Sequence, residues 1–182
     1  MGPFAYVSLC LLGCLIFNLS LTAPALTVEA QDASCSVGWI YLQGNCYQYF
    51  PQPKTWMEAE AECQRNGSGA HLASIHSAGE NNILAHYVNW KNKKNIPVWI
   101  GLWDPDQNLN WRWTDESQMN FNAWDNEQPD NPKKNEYCVG LSHAPGFQKW
   151  HDYPCEDKYY FLCKNKSKGR KLAHTWRLPA GL

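Results

Sequence analysis

The sequence predicts an α+β fold, in which two helices are set among short strands and tied by three disulfides. Three observations carry that reading. Two segments open on helix-capping patterns, and eight short runs between turn formers are rich in aromatic and β-branched residues. The part of the chain expected to be exported keeps an even set of six cysteines.

Thr55-Trp56-Met57-Glu58 is a capping-box pattern. The threonine hydroxyl and the glutamate carboxylate satisfy free backbone donors of a first helical turn, and Ala59, Ala61 and Glu62 carry the helix to about Arg65. Ser77-Ala78-Gly79-Glu80 repeats the device, after which Ile83, Leu84, Tyr87 and Val88 form an apolar stripe at helical spacing, expected in the core.

The predicted strands are 39–42, 46–50, 71–75, 98–102, 111–114, 137–142, 147–151 and 159–164. Trp39, Trp56, Trp99, Trp111 and Trp113 lie on these helix and strand patterns and are expected inside, with Trp90 and Trp103 partly exposed. Between Thr114 and Tyr137 runs a long stretch of Asp, Asn, Gln, Glu and Pro with no regular element; in a compact domain such a loop is usually functional.

Val7 to Leu21 is an almost unbroken apolar run, short for a membrane span and followed by small residues, so residues 1–30 read as a secretory signal. Cleavage after Val28-Glu29-Ala30 removes Cys10 and Cys14 and leaves Cys35, Cys46, Cys63, Cys138, Cys155 and Cys163 in an oxidising compartment. Three disulfides follow, with no cysteine left for an interchain bond; spacing alone does not choose among the pairings. The rest of the chain is large enough for one domain with a real core, assigned to 31–164. No membrane span is expected, and the protein should be extracellular.

Residues 31–163 hold 10 Lys and Arg against 16 Asp and Glu, a net charge of −6, whereas 165–182 is basic. The tail has few packable side chains and is expected to be disordered, with charge suited to polyanionic glycans. An acidic exported body is a poor partner for nucleic acid. Asn66-Gly67-Ser68 and Asn165-Lys166-Ser167 are N-glycosylation sequons. The six histidines sit in no nucleophile-base or zinc-binding motif, so no enzyme activity and no catalytic residue are expected.

The oxygen-rich loop suggests a different chemistry. Ca²⁺ takes six to eight oxygen ligands, and Gln128, Asp130, Glu136 and Asp152 offer such oxygens, with Asn126, Glu127 and Asn131 nearby in sequence. Three acids brought together repel one another unless a cation neutralises them.

From Cys35 to Lys164 the chain resembles a C-type lectin domain in its long form. The resemblance lies in CSVGWIYLQGNCY, TWMEAEAEC, HLASIHS, VWIGLWD, WRWTDES, QPD followed by EYC, and WHDYPCEDKYYFLCK. It implies a double-loop fold of two helices and short antiparallel strands, with disulfides Cys35–Cys46, Cys63–Cys163 and Cys138–Cys155. It also implies a Ca²⁺ site on Gln128, Asp130, Glu136 and Asp152, with His151 as an optional fifth ligand, and a cis peptide before Pro129. In sugar-binding members two vicinal hydroxyls of the sugar complete the shell and bond to the same side chains, which here are Gln128, Asp130, Glu136 and Asp152. The Gln-Pro-Asp order resembles the galactose-preferring branch, which includes snake-venom galactoside lectins, and implies galactoside-bearing glycans or glycoproteins as partners.

Two positions depart from that pattern. His151 stands where the family has Asn, and an imidazole nitrogen suits a hard cation less well than an amide oxygen. No aromatic residue follows Gln-Pro-Asp to meet the apolar face of a sugar; Trp124 is the candidate to take that place, whereas Trp150 and Tyr137 are expected inside. The segment GFQKWHDYPCEDKYYFLCK resembles the Reg or lithostathine group, in which the classical calcium site is largely lost. That resemblance implies a receptor, glycosaminoglycan, bacterial wall or mineral as the partner.

Overall fold

A computed structural model describes residues 33–131 and 135–169, all within the unit Gln31–Leu182. The expected signal (1–30), Pro132 to Lys134 and the end of the tail from residue 170 lie outside the described residues.

The elements run β1 (Ala33–Ser34), β2 (Ile40–Leu42), β3 (Asn45–Lys54), α1 (Trp56–Arg65), β4 (His71–Leu72) and α2 (Ala78–Lys91). They continue with β5 (Val98–Trp103), β6 (Arg112–Trp113), β7 (Glu136–Leu141), β8 (Trp150–Pro154), β9 (Tyr159–Lys166) and β10 (Lys168–Gly169). The eight-stranded sheet follows the order β2-β3-β9-β5-β7-β8, with β4 on β9 and β6 on β5. Its pairs are antiparallel except β5 with β9, which run parallel. This is the α+β fold with two helices that the sequence predicts.

Both helices begin where their caps stand. Thr55 and Glu58 make the full reciprocal capping box, and Ser77 accepts the Glu80 N–H at 3.1 Å. The three expected disulfides are present. Cys63–Cys163 closes a loop of 100 residues, for which the chain-entropy account gives about 4–5 kcal/mol of stabilisation. It lies in a core cluster with Trp56, Trp99 and Phe161, while a second cluster gathers Tyr47, Ile100, Trp150 and Leu162. Between β9, α2 and the start of the long loop, Lys164 Nζ donates at 3.0 Å to the carbonyl and hydroxyl oxygens of Ser74, and Ser74 Oγ donates at 2.5 Å to Asp115. Tyr47 donates its hydroxyl to Glu80 of α2.

Several expectations need correction. On α2, Leu84 and Val88 are buried, but Ile83 is 45 % exposed and Tyr87 only half-buried. The buried face is set by Asn81, which exchanges side-chain hydrogen bonds with Trp150 Nε1 (2.9 Å) and the Gln148 carbonyl (2.8 Å). Trp39 and Trp111 are half-buried rather than core. The strand expected over 147–151 begins only at Trp150, because Gly146 and Phe147 take positive φ and turn the chain. The strand at 71–75 shortens to His71–Leu72. At the C-terminal edge β9 continues to Lys166, and Lys168–Gly169 pairs with Ala33–Ser34. Asn165 and Lys166 therefore lie in β9, and Lys168 and Gly169 in β10, rather than in a disordered tail; backbone pairing needs no packable side chains.

Candidate metal and sugar site

The oxygen-rich loop is fastened to β8 before it reaches β7. Trp124 bridges Trp150, with the Trp150 N–H donating to Ala123 (3.0 Å) and the Asp125 N–H donating to Trp150 (3.2 Å). The chain then turns through Glu127 at φ 62°, passes the cis Gln128–Pro129 peptide and reaches Asn131 at φ 36°. The cis peptide is the one expected at Pro129.

Asp152, on β8 and only 3 % exposed, holds this turn. Its Oδ1 accepts the Asp130 N–H at 3.2 Å and its Oδ2 accepts the Asn131 N–H at 3.1 Å. The Asp152 N–H donates to Gln128 Oε1 at 3.4 Å. Asn131 Oδ1 in turn accepts the Glu136 N–H at 3.0 Å, which joins the turn to the first residue of β7.

Asp130, Glu136 and Asp152 each bring one carboxylate oxygen within 4.8 Å of the others. Burial raises the Asp152 carboxyl above the ordinary aspartate range; three backbone N–H donors oppose the rise, and the Asp130 charge adds to it. Of the three acids Asp152 is buried, Glu136 half-buried and Asp130 exposed. The donor set is made of oxygens alone, the chemistry of a site for a hard divalent cation. Of the expected ligands, Gln128, Asp130, Glu136 and Asp152 come together at this turn.

His151 does not join them. Its ring lies on Tyr153, with centroids 5.9 Å apart and planes at 23°, and its Nε2 is 3.0 Å from Asp125 Oδ2. The hydrogen bond to His151 is the first cause that holds the Asp125 carboxyl below its usual range. Sequence reasoning missed both this partner and the brace from Asn131. Trp124 is half-buried, with its ring 5.1 Å from Trp111, and Trp150 is inside as expected.

Two helices, a largely antiparallel sheet and three disulfides define a C-type lectin-like fold, here with an acidic turn after a cis proline. The profile of the Lectin C-type domain family matches residues 52–165, and the chain belongs to that family. It is similar to a C-type lectin of Micrurus corallinus, 41 % identical over 164 residues, covering 90 % of this chain and 98 % of that one. It is also similar to a protein of Oxyuranus scutellatus described as a C-type lectin mannose-binding isoform, 41 % identical over 151 residues, covering 82 % of this chain and 96 % of that one. Among solved structures, human lithostathine superposes with a TM-score of 0.69 at 35 % identity, covering 72 % of this chain and 99 % of that one.

Proposed function

We propose that this protein is a secreted, calcium-dependent lectin that prefers galactosides. The observation that carries the reading is the meeting of Asp130, Glu136 and Asp152 within 4.8 Å at a turn that also carries Gln128. Bound Ca²⁺ would neutralise these acids and offer coordination positions to two neighbouring sugar hydroxyls. Gln128, Asp130, Glu136 and Asp152 would hold the ion and exchange hydrogen bonds with the same hydroxyls. Two roles of the chain itself support this: Asp152 fixes the turn through the Asp130 and Asn131 N–H groups, and Asn131 fixes the distance to β7. The Gln128-Pro129-Asp130 order favours galactose over mannose, and the apolar leader supports export.

The protein should be retained on galactose resin in calcium and released by a chelator. Retention on mannose resin instead would keep calcium dependence and overturn the galactose preference. Passage through both resins would overturn the reading as a whole.

A second reading has its own observation. His151 sits on Asp125 instead of supplying an oxygen to the acidic turn, and lithostathine is among the similar structures. A protein of this kind would bind a receptor, glycosaminoglycan, bacterial wall or mineral without calcium. Heparin binding that ignores chelator and is lost when the chain is cut after Gly169 would favour it.

A further inference from the structure

The two sequons, 99 residues apart in sequence, meet in space, and their acceptor nitrogens stand in different surroundings. Asn66 caps the C-terminal end of α1 and is exposed. Its backbone N–H donates to the Cys63 carbonyl at 3.0 Å, and its Nδ2 donates to the Glu62 carbonyl at 2.8 Å. Asn165 is half-buried in β9 opposite Cys46. The Lys166 N–H donates to its Oδ1 at 2.8 Å. A donor must face an oxygen, so this bond fixes the amide orientation and leaves Nδ2 turned the other way. There Nδ2 meets Gly67, the middle residue of the first sequon: a Cβ at position 67 would stand 2.5 Å from it. Ser167 is held as well, its N–H donating to the Gly44 carbonyl at 3.1 Å.

We propose that Asn66 is the N-glycan attachment point of this protein and that Asn165 stays unmodified in the folded chain. In the transfer, the Asn Nδ2 attacks C1 of a sugar carried on a lipid diphosphate. The N–C1 bond forms, the C1–O bond to the diphosphate breaks, the diphosphate leaves with the electron pair, and Nδ2 gives up one of its two protons. At Asn66 the remaining proton still serves the Glu62 carbonyl, and the sugar projects from an exposed helix end. At Asn165 the new carbon needs the space beside Gly67. That loop is closed by the Ala70 N–H on the Gly67 carbonyl at 3.0 Å, so a chain modified at Asn165 has to lift the 66–70 loop off β9 to fold.

The proposal requires passage through the export route proposed above, so cell extract and medium are both mapped. The full chain is produced in a eukaryotic secreting cell and treated with peptide N-glycosidase in heavy-oxygen water, which converts each modified Asn to labelled Asp. The expected result is the label at position 66 and none at 165. Asn66→Gln should abolish the mobility shift produced by the glycosidase, and Asn165→Gln should leave it unchanged. Label at 165 in the exported protein, a shift that survives Asn66→Gln, or an unlabelled Asn66 in both fractions would overturn the proposal. If Asn66→Gln is not exported, the map of the parent decides alone. Label at 66 confined to the extract would support the proposal and count against export, which keeps the two apart.

Discussion

His151 Nε2 and Asp125 Oδ2 stand 3.0 Å apart, a contact between residues 26 positions distant in the chain. It keeps the ring beside the acidic turn without making it part of the donor set. His151→Ala should therefore leave calcium affinity within about twofold of the parent, whereas Asp152→Ala removes a carboxylate and both loop contacts and should cost on the order of tenfold or more. Calorimetric titration with Ca²⁺ measures both. A large loss in the histidine variant would place the ring in the ion's shell.

The strain among the three acids should be visible without any ion. Asp130→Asn removes the charge that helps to raise the Asp152 carboxyl. In chelator at neutral pH it should gain about 0.2–0.5 kcal/mol, a figure reduced because Asp130 is exposed to solvent, or roughly 0.5–2 °C in a domain of this size. With saturating calcium the order should reverse, because the parent then has the stronger ligand. Thermal unfolding with and without calcium gives the comparison.

Asp115, beside Ser74 and Ser117, supplies a pH dependence. Burial works to raise its carboxyl, but the hydrogen bonds from Ser117 and Ser74, with the Lys164 charge, outweigh it and hold the group below the usual range. A depressed folded value contributes stability above the unfolded aspartate range, and that stability is lost as pH falls through the folded value. Asp115→Asn should thus cost about 1 kcal/mol at pH 7, a figure reduced for partial exposure. The difference from the parent should shrink below about pH 4. Denaturant unfolding across that range would show it, and a constant difference would refute it.

Gly101 is required by space and not by backbone angle. A Cβ there would come within 2.6 Å of the Leu72 carbonyl oxygen and 2.8 Å of Thr114 Oγ1. The same residue bonds to Ala73 and Thr114 through its own N–H and carbonyl, so the neighbours cannot withdraw without breaking strand contacts. Gly101→Ala should cost about 1–3 kcal/mol in denaturant unfolding.

Local rules made much of the fold legible. The caps at Thr55 and Ser77 act within one turn, so both helices can be read from a few residues. Ile83 misleads because hydropathy does not register Asn81, whose paired contacts with Trp150 and Gln148 set which face of α2 turns inward. At the site, Gln128, Asp130, Glu136 and Asp152 are legible through their oxygen chemistry and the family resemblance. The partnership of His151 with Asp125 is not, because it depends on the Trp124–Trp150 bridge that aligns two distant segments. The strand character of Asn165–Lys166 and Lys168–Gly169 escaped for a related reason: it comes from main-chain pairing, which leaves little mark on side-chain composition.

The ladder between Ala33–Ser34 and Lys168–Gly169 places the entry and exit of the fold side by side. A short flexible linker could therefore join them, and the chain could be reopened at an exposed turn such as the one around Asn95. The permuted protein would show whether the order of synthesis matters to the finished domain.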